Sequence, residues 1–310
     1  MPLWRNRLAL CKIETTYNTN SSPAASDALL FTELDVQPLA VELTERETIQ
    51  SYFGNRASIV TQRSVPVKAT VELAGSGTAG TAPRWGALMR SCAAAEAIVA
   101  STSVTYSPVS SSFSSYTMDF YKDDGARQAI TGIRGTAELS LSAGEVPTLA
   151  FDQMGQYTAP GALSLPTPTY SAQASPVAVN SDNTTAVSVH GFSACMSAFS
   201  MSLGVDMTFR QLAGCTKEVL VTGRAPSGSI TIELPNFATK DFLAIVSAQT
   251  TGSISWQHGQ TAGNIVTFTA STCAFDAPSI EEADAVTMIT LPFRPLPSGA
   301  GNDEWSLALT

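Results

Sequence analysis

The sequence predicts a mainly β, α+β fold: two similar β-sandwich or barrel units with short flanking helices. Three observations lead there. Period-2 alternation rich in Val, Ile, Thr and Phe recurs from end to end, helix-period stretches are confined to two short places, and one strand–helix order occurs twice about 160 residues apart.

The alternation is clearest in VPVKATVEL (65–73), KEVLVTG (217–223), GSITIEL (228–234), GNIVTFTA (263–270) and AVTMITLPF (285–293). Such runs suit strands with one buried face. TAELSLSAGEVPTLAFD (136–152) reads as two strands around Ala143-Gly144, and Asp123-Asp124-Gly125 is a tight-turn signal joining two more.

Two stretches take a helix period instead. In PRWGALMRSCAAAEAIVA (83–100), Trp85, Leu88, Met89, Cys92 and Ala95 share a face, and Pro83 suits a first turn. In NFATKDFLAIVSA (236–248), Phe237, Phe242, Leu243 and Val246 are expected inward, with Asn236 as the N-cap. Each helix would cover one face of a sheet.

Both helices follow similar strands. RSVPVKATVEL from Arg63 and RAPSGSITIEL from Arg224 align without gaps at the Arg, at Thr70 and Thr231, at Glu72 and Glu233, and at Leu73 and Leu234. Just upstream, Val60-Thr61 matches Val221-Thr222. This predicts a duplication: an N-terminal arm over 1–30, a first unit over 31–157, a Pro/Ser/Ala-rich connector over 158–178 and a second unit over 179–310.

Composition narrows the function. The 310 residues are 44% hydrophobic, enough for a sizeable core, yet only 14% are charged, against a usual share of roughly 25%. A surface with so little charge repels its own copies weakly. Net charge is -9 and no basic block occurs, which argues against a grip on nucleic-acid phosphates but not against DNA passing by. Cys11, Cys92, Cys195, Cys215 and Cys273 are widely spaced and odd in number, so free thiols, buried or half-buried, are expected in a chain folded in a reducing cytosol. The opening MPLWRNRLALCKIETTY does not read as a secretory signal, and no apolar run approaches the length of a membrane span.

Catalytic patterns are missing where they would be sought. His190 and His258 stand apart from any ligand cluster and read as surface or interface residues. GSGTAG (75–80) lacks the Lys-Ser/Thr of a phosphate loop and reads as a flexible link. SMSLG (200–204) lacks the first Gly of a nucleophile elbow. Glu281, Glu282 and Asp284 read as a solvated loop. Tyr106, Tyr116, Phe120 and Tyr121 have serines and aspartates beside them rather than basic residues, so core or interface packing is expected rather than base stacking. No catalytic residue, cofactor or metal is expected.

The whole chain resembles the major tail tube protein family of siphophages, the phages with long non-contractile tails. LALCKIETTYNTNSSP is similar to that family's opening, with Cys11 and Asn18 where Ala and Gly are common. APRWGALMRSC, VTYSPVSSSFSSYTMDFYKDDG and ITGIRGTAELSLSAGEVPTLAFDQMGQY resemble its helix and following hairpins, and VLVTGRAPSGSITIELP, TAGNIVTFTA and GNDEWSLAL continue the likeness.

The resemblance implies a structural virion subunit without enzymatic activity. Subunits would join their sheets into a ring around a channel, and rings would stack through loops and arms. Implied partners are further copies of the chain, the tape measure protein, the tail-tip and tail-terminator proteins, and DNA in transit without sequence-specific binding. The implied location is the virion tail, after folding in the bacterial host cytoplasm. Two units per chain would make three chains enough for a ring of six similar lobes; the alternative is a ring of six chains with one half decorating the outside. Thr70, Glu72, Thr231 and Glu233 are candidates for the channel lining, or equally for a solvated outer face. Glu45, Arg46, Tyr52 and Phe53, in TERETIQSYFGN (44–55), are candidates for ring stacking. A capsid-decorating protein and a carbohydrate-binding module remain the competing classes.

Overall fold

The computed structural model describes residues 6–122 and 125–310. In chain order the first half contains β1 (Arg7–Ile13), β2 (Glu33–Val36), β3 (Ala40–Glu45), β4 (Ser58–Glu72), α1 (Gly86–Arg90), β5 (Ala94–Val99), β6 (Ser103–Pro108), β7 (Tyr116–Lys122), β8 (Ala126–Ser142) and β9 (Thr148–Gln156). The short β10 (Gly161–Ala162) lies in the connector. The second half contains β11 (Thr184–Val189), β12 (Phe192–Ser193), β13 (Met196–Ser202), β14 (Val205–Arg210), β15 (Glu218–Arg224), β16 (Ser227–Glu233), α2 (Phe242–Ser247), β17 (Gly252–His258), β18 (Val266–Phe275), β19 (Ser279–Ala283), β20 (Val286–Pro295) and β21 (Ser306–Leu309). Among the described residues the fold is mainly β with two short α-helices and one 3-10 turn, Ala25–Asp27, in line with the alternation.

One run of antiparallel strands crosses the whole molecule. β4 lies between β2 and β9, with Thr70 opposite Glu33 on one side and Ala150 on the other. β16 lies between β13 and β20, with Thr231 opposite Ala198 and Thr290. β8 pairs with β9, and β19 with β20. The two halves meet where β8 pairs with β13, from Glu138 opposite Ser202 to Ser142 opposite Ala198. The order is therefore β2–β4–β9–β8–β13–β16–β20–β19.

Behind this run, β7 pairs with β1 and with the start of β8, and β17 pairs with β11 and β18. β8 serves both layers by bending near Gly132, whose φ of 62° avoids the Cβ clash other residues meet in the left-handed region. β21 pairs with both β18 and β6, so the end of the chain ties the second half to the first. A single core runs through both halves. Val67, Leu139 and Phe151 from the first belong to the same buried cluster as Phe199, Phe268 and Phe293 from the second. Tyr106, Tyr116, Phe120 and Tyr121 are all buried, as core packing requires.

Several local expectations need correction. The predicted helix over 83–100 stops at Arg90. Trp85, Leu88, Met89 and Cys92 are buried as its period implies, but Ala94–Val99 is a strand paired with β6. Alanine is the best helix former, but intrinsic propensity is a weak preference that tertiary context overrides. Pairing with β6, itself held by β21, satisfies the backbone groups and overrides that preference. The second helix starts late, at Phe242. Asp241 caps it by accepting from the Ala244 amide at 2.9 Å, while Asn236 caps its own turn at Ala238. Phe237 and Leu243 accordingly lie exposed and only Phe242 is fully buried.

The arm expected over 1–30 is not loose throughout. β1 pairs with β7 along its whole length and buries Leu8, Ala9, Leu10 and Cys11. Glu281 and Glu282, expected in a loop, lie in β19, a wholly exposed strand. His258 is a core residue rather than a surface one. GSGTAG is docked, not flexible: the Gly75 amide donates to Asn264 Oδ1 at 2.7 Å and the Gly77 amide to Gly263 O at 3.0 Å. Cys195 and Cys215 are exposed, whereas Cys11, Cys92 and Cys273 are buried. Asp123 and Asp124 of the expected turn lie outside the described residues; β7 and β8 pair on either side of it.

Candidate functional site

Alternation puts every second side chain of the eight-strand run on the core side. Val67, Ala69, Val71, Leu139, Leu141, Phe199, Ile230, Ile232 and Ile289 are buried there. The intervening residues share the opposite face. Thr70, Glu72, Thr231 and Glu233 all stand on it, half-buried or exposed, so the four residues singled out by the sequence match are brought to one surface. The register adds residues that the sequence alone did not single out. Lys68 is opposite Asp35 and Asp152, and Glu138 is opposite Ala150. A shallow depression is lined by Glu33, Asp35, Lys68, Thr70, Glu138 and Asp152.

The face is acidic. Glu33, Asp35, Glu72, Glu138, Asp152, Glu233 and Glu281 outweigh Lys68, whose ammonium lies 3.9 Å from Asp152 in an exposed pair. Arg294, at the far end of β20, is held by Asp276 at 2.7 Å. Between the charged ends the middle of the face is hydroxyl-lined, with Ser140 opposite Ser200, Ser200 bonded to Ser229 at 3.0 Å, and Thr231 bonded to Thr290 at 2.8 Å. Such a surface offers phosphate little to bind and much to repel.

Both ends of the run are open. Among the described residues β2 has a strand partner only in β4 and β19 only in β20. Unpaired edges present rows of backbone donors and acceptors to another chain.

Two hairpins stand on the sheet. β3 pairs with the first part of β4, and β14 pairs with β15. Each carries a bulge at the same place, between Glu42 and Leu43 and between Asp206 and Met207. The extra residue is Thr61 in one and Thr222 in the other, and their hydroxyls donate to Glu42 O at 3.1 Å and Asp206 O at 3.4 Å.

Their surroundings differ. The β14–β15 hairpin is clamped onto the first half. Buried Arg134 donates to Glu218 Oε1 at 3.0 Å, Val219 O at 2.8 Å and Phe113 O at 2.9 Å, with its guanidinium 4.3 Å from the Tyr17 ring centre. Tyr17 OH accepts from the Val219 amide at 2.7 Å, and Gln156 donates to Lys217 O at 2.7 Å. Burial raises the Tyr17 phenol above its ordinary value. The β3–β4 hairpin instead projects, ending near Glu45 and Arg46. Val41 is 43% exposed where Val205 is 7%. At its tip Ile49 and Phe53 are fully exposed and Tyr52 is largely so.

Nothing comparable assembles around the nucleophilic side chains. Burial pushes the Cys92 thiol up to about 12, and Cys11 higher still, so both stay protonated. The ring of His258 donates from Nε2 to Val177 O at 3.1 Å, which leaves Nδ1 to accept from the Thr184 hydroxyl at 2.9 Å. Among the described residues no group of three or more His, Cys, Asp or Glu side chains is gathered to hold a metal ion, and no helix is long and apolar enough to cross a membrane.

A sheet with two open edges, a projecting apolar hairpin and an acidic, hydroxyl-lined face suit a structural protein whose edges can pair with further strands. The chain matches the phage tail tube protein family over residues 4–295 and belongs to it. No curated protein matches the chain. Proteins of this family are structural and non-catalytic, they associate with themselves and with other tail components, and they assemble into the phage tail.

Proposed function

We propose that the chain is a duplicated tail-tube subunit, and that three copies close a ring of six similar lobes. The observation that carries this is the β8–β13 junction. There an edge of the first half pairs with an edge of the second, leaving the counterpart edges, β19 and β2, unpaired at the two ends. Pairing β19 of one copy with β2 of the next repeats the same junction and closes the ring, with every strand edge in the run satisfied.

Support for duplication comes from three further matches: β4 between β2 and β9 against β16 between β13 and β20, the shared bulge threonines, and the positions of α1 and α2 after the matching strands. The units are read as 31–157 and 179–310 with 158–178 as the connector, and the first unit is extended to take in β1 from the segment 1–30. β1 then belongs with the first unit, as β11 with the second, because each pairs with the corresponding strand, β7 or β17. The exposed Val41 is the counterpart of the covered Val205, so the projecting hairpin is read as lying against the neighbouring copy.

In this reading the acidic face, including Thr70, Glu72, Thr231 and Glu233, lines the channel of a long non-contractile tail. The tape measure protein occupies it before ejection and DNA passes through it afterwards without sequence-specific binding. The loop bearing Arg46, Tyr52 and Phe53, next to Glu45, stacks one ring on another, and the last rings meet the tail-tip and tail-terminator proteins. Folding takes place in the bacterial host cytoplasm. Both halves contribute to one face, which disfavours six chains per ring with one half outside.

Negative-stain microscopy of the purified protein, with end-on class averages, tests the proposal. Stacked rings with a central channel are expected. Monodisperse single chains at high concentration, even when seeded with tail tips, would refute it.

A further inference from the structure

Resting on the ring reading, we infer that the chain-to-chain junction has a fixed register in which carboxylates oppose its closure. The register follows from the pairing within one chain. Glu72 is opposite Thr148, which is opposite Ser140; Glu233 is opposite Met288, which is opposite Glu281. Ser140 and Glu281 therefore correspond. Likewise Thr70 faces Glu33 and Thr231 faces Ala198, so Asp35 corresponds to Ser200. Within the chain Ser140 is opposite Ser200. Between chains Glu281 is opposite Asp35 of the next copy.

One position further, Leu141 is opposite Phe199, both buried. The same step between chains sets Glu282 against Leu34 of the next copy. The internal junction thus has two hydroxyls and an apolar pair where the external one has two carboxylates and a charge turned toward the core. Like charges directly opposite destabilise a strand pair, and an inward charge protects an edge from premature pairing. Lys68, opposite Asp35 on β4, relieves part of the repulsion but also lies near Asp152. A free subunit is accordingly kept from closing on stray copies, and closure depends on added salt or on the many contacts offered by an existing ring.

Ring formation by the full chain at low salt, read by sedimentation velocity, tests this. β19 is wholly exposed, so Glu281→Lys leaves the subunit folded, which circular dichroism checks. The variant is expected to close rings more readily, by about fivefold per junction and on the order of a hundredfold for three. Adding Asp35→Asn should remove the part of that gain due to the new attraction and keep the part due to the relieved repulsion, while adding Glu33→Gln should leave the gain in place. A gain cut by Glu33→Gln and untouched by Asp35→Asn would overturn the register and leave the ring standing. Closure no better than that of the unaltered chain would overturn the charge opposition. Absence of closed trimers from every variant, with or without tube seeds, would remove the ring reading itself.

Discussion

Arg134 holds two distant parts of the chain together. Its guanidinium is buried, it spans from the Phe113 carbonyl to Glu218 and the Val219 carbonyl, and it lies over Tyr17. Removing it leaves those carbonyls and a partly buried carboxylate short of a donor. Arg134→Ala is expected to cost about 3 kcal/mol, the lower end for breaking a buried pair because Glu218 keeps some contact with water. Urea unfolding measures it. Phe199 packs against Trp256, Phe268 and Phe293 at ring separations of 5.0–5.8 Å, and Phe199→Ala should cost about 3–5 kcal/mol by the same measurement.

The histidines give a pH dependence with a definite sign. Burial holds both His190 and His258 below the ordinary imidazole value of about 6.5. As pH falls through that value the unfolded chain takes up protons that the folded chain refuses, so stability falls. Thermal unfolding followed from about pH 7.5 to 5.5 should show this, and His258→Asn should flatten the slope. A slope unchanged by the substitution would place the effect elsewhere.

Among the elements, strands were legible because their signal is local. The alternation in VPVKATVEL and GSITIEL states both the extended backbone and the buried side, and β4 and β16 follow it. Ala94–Val99 reads as helix because alanine shows no period-2 contrast, and the strand that holds its hairpin with β6 in place, β21, lies at the far end of the sequence. β19 escaped for the opposite reason: two adjacent glutamates hide the alternation on an edge that no second layer covers. Thr61 and Thr222 appeared in the sequence match without their role; only the register shows them as bulge residues. The sequence reads 44–55 as a loop; it is the end of the β3–β4 hairpin, and the exposed Ile49 beside Tyr52 and Phe53 gives it an apolar tip. Replacing these three by serine should leave the subunit and the ring intact, since none is buried. Tubes should fall apart into single rings under the electron microscope. Tubes of unaltered length would assign stacking to another segment.

At the scale of the molecule, what the sequence could not supply is the order β2–β4–β9–β8–β13–β16–β20–β19. It rests on pairings between residues far apart in the chain, and it gathers Asp35, Glu72, Glu138, Asp152 and Glu233 onto one face. An acidic channel lets DNA pass because its wall repels phosphate. Glu72→Lys combined with Glu233→Lys should therefore give tubes that retain DNA fragments at low salt and release them as salt is raised. Tubes that ignore DNA in both forms would move these residues to the outer surface.

The most direct test of the central claim is the mass of a single ring by native mass spectrometry. Three chains per ring, appearing as six lobes in projection, is the result predicted by the repeated β8–β13 junction. Six chains per ring would contradict it, because the second half would then no longer take a subunit's place in the ring.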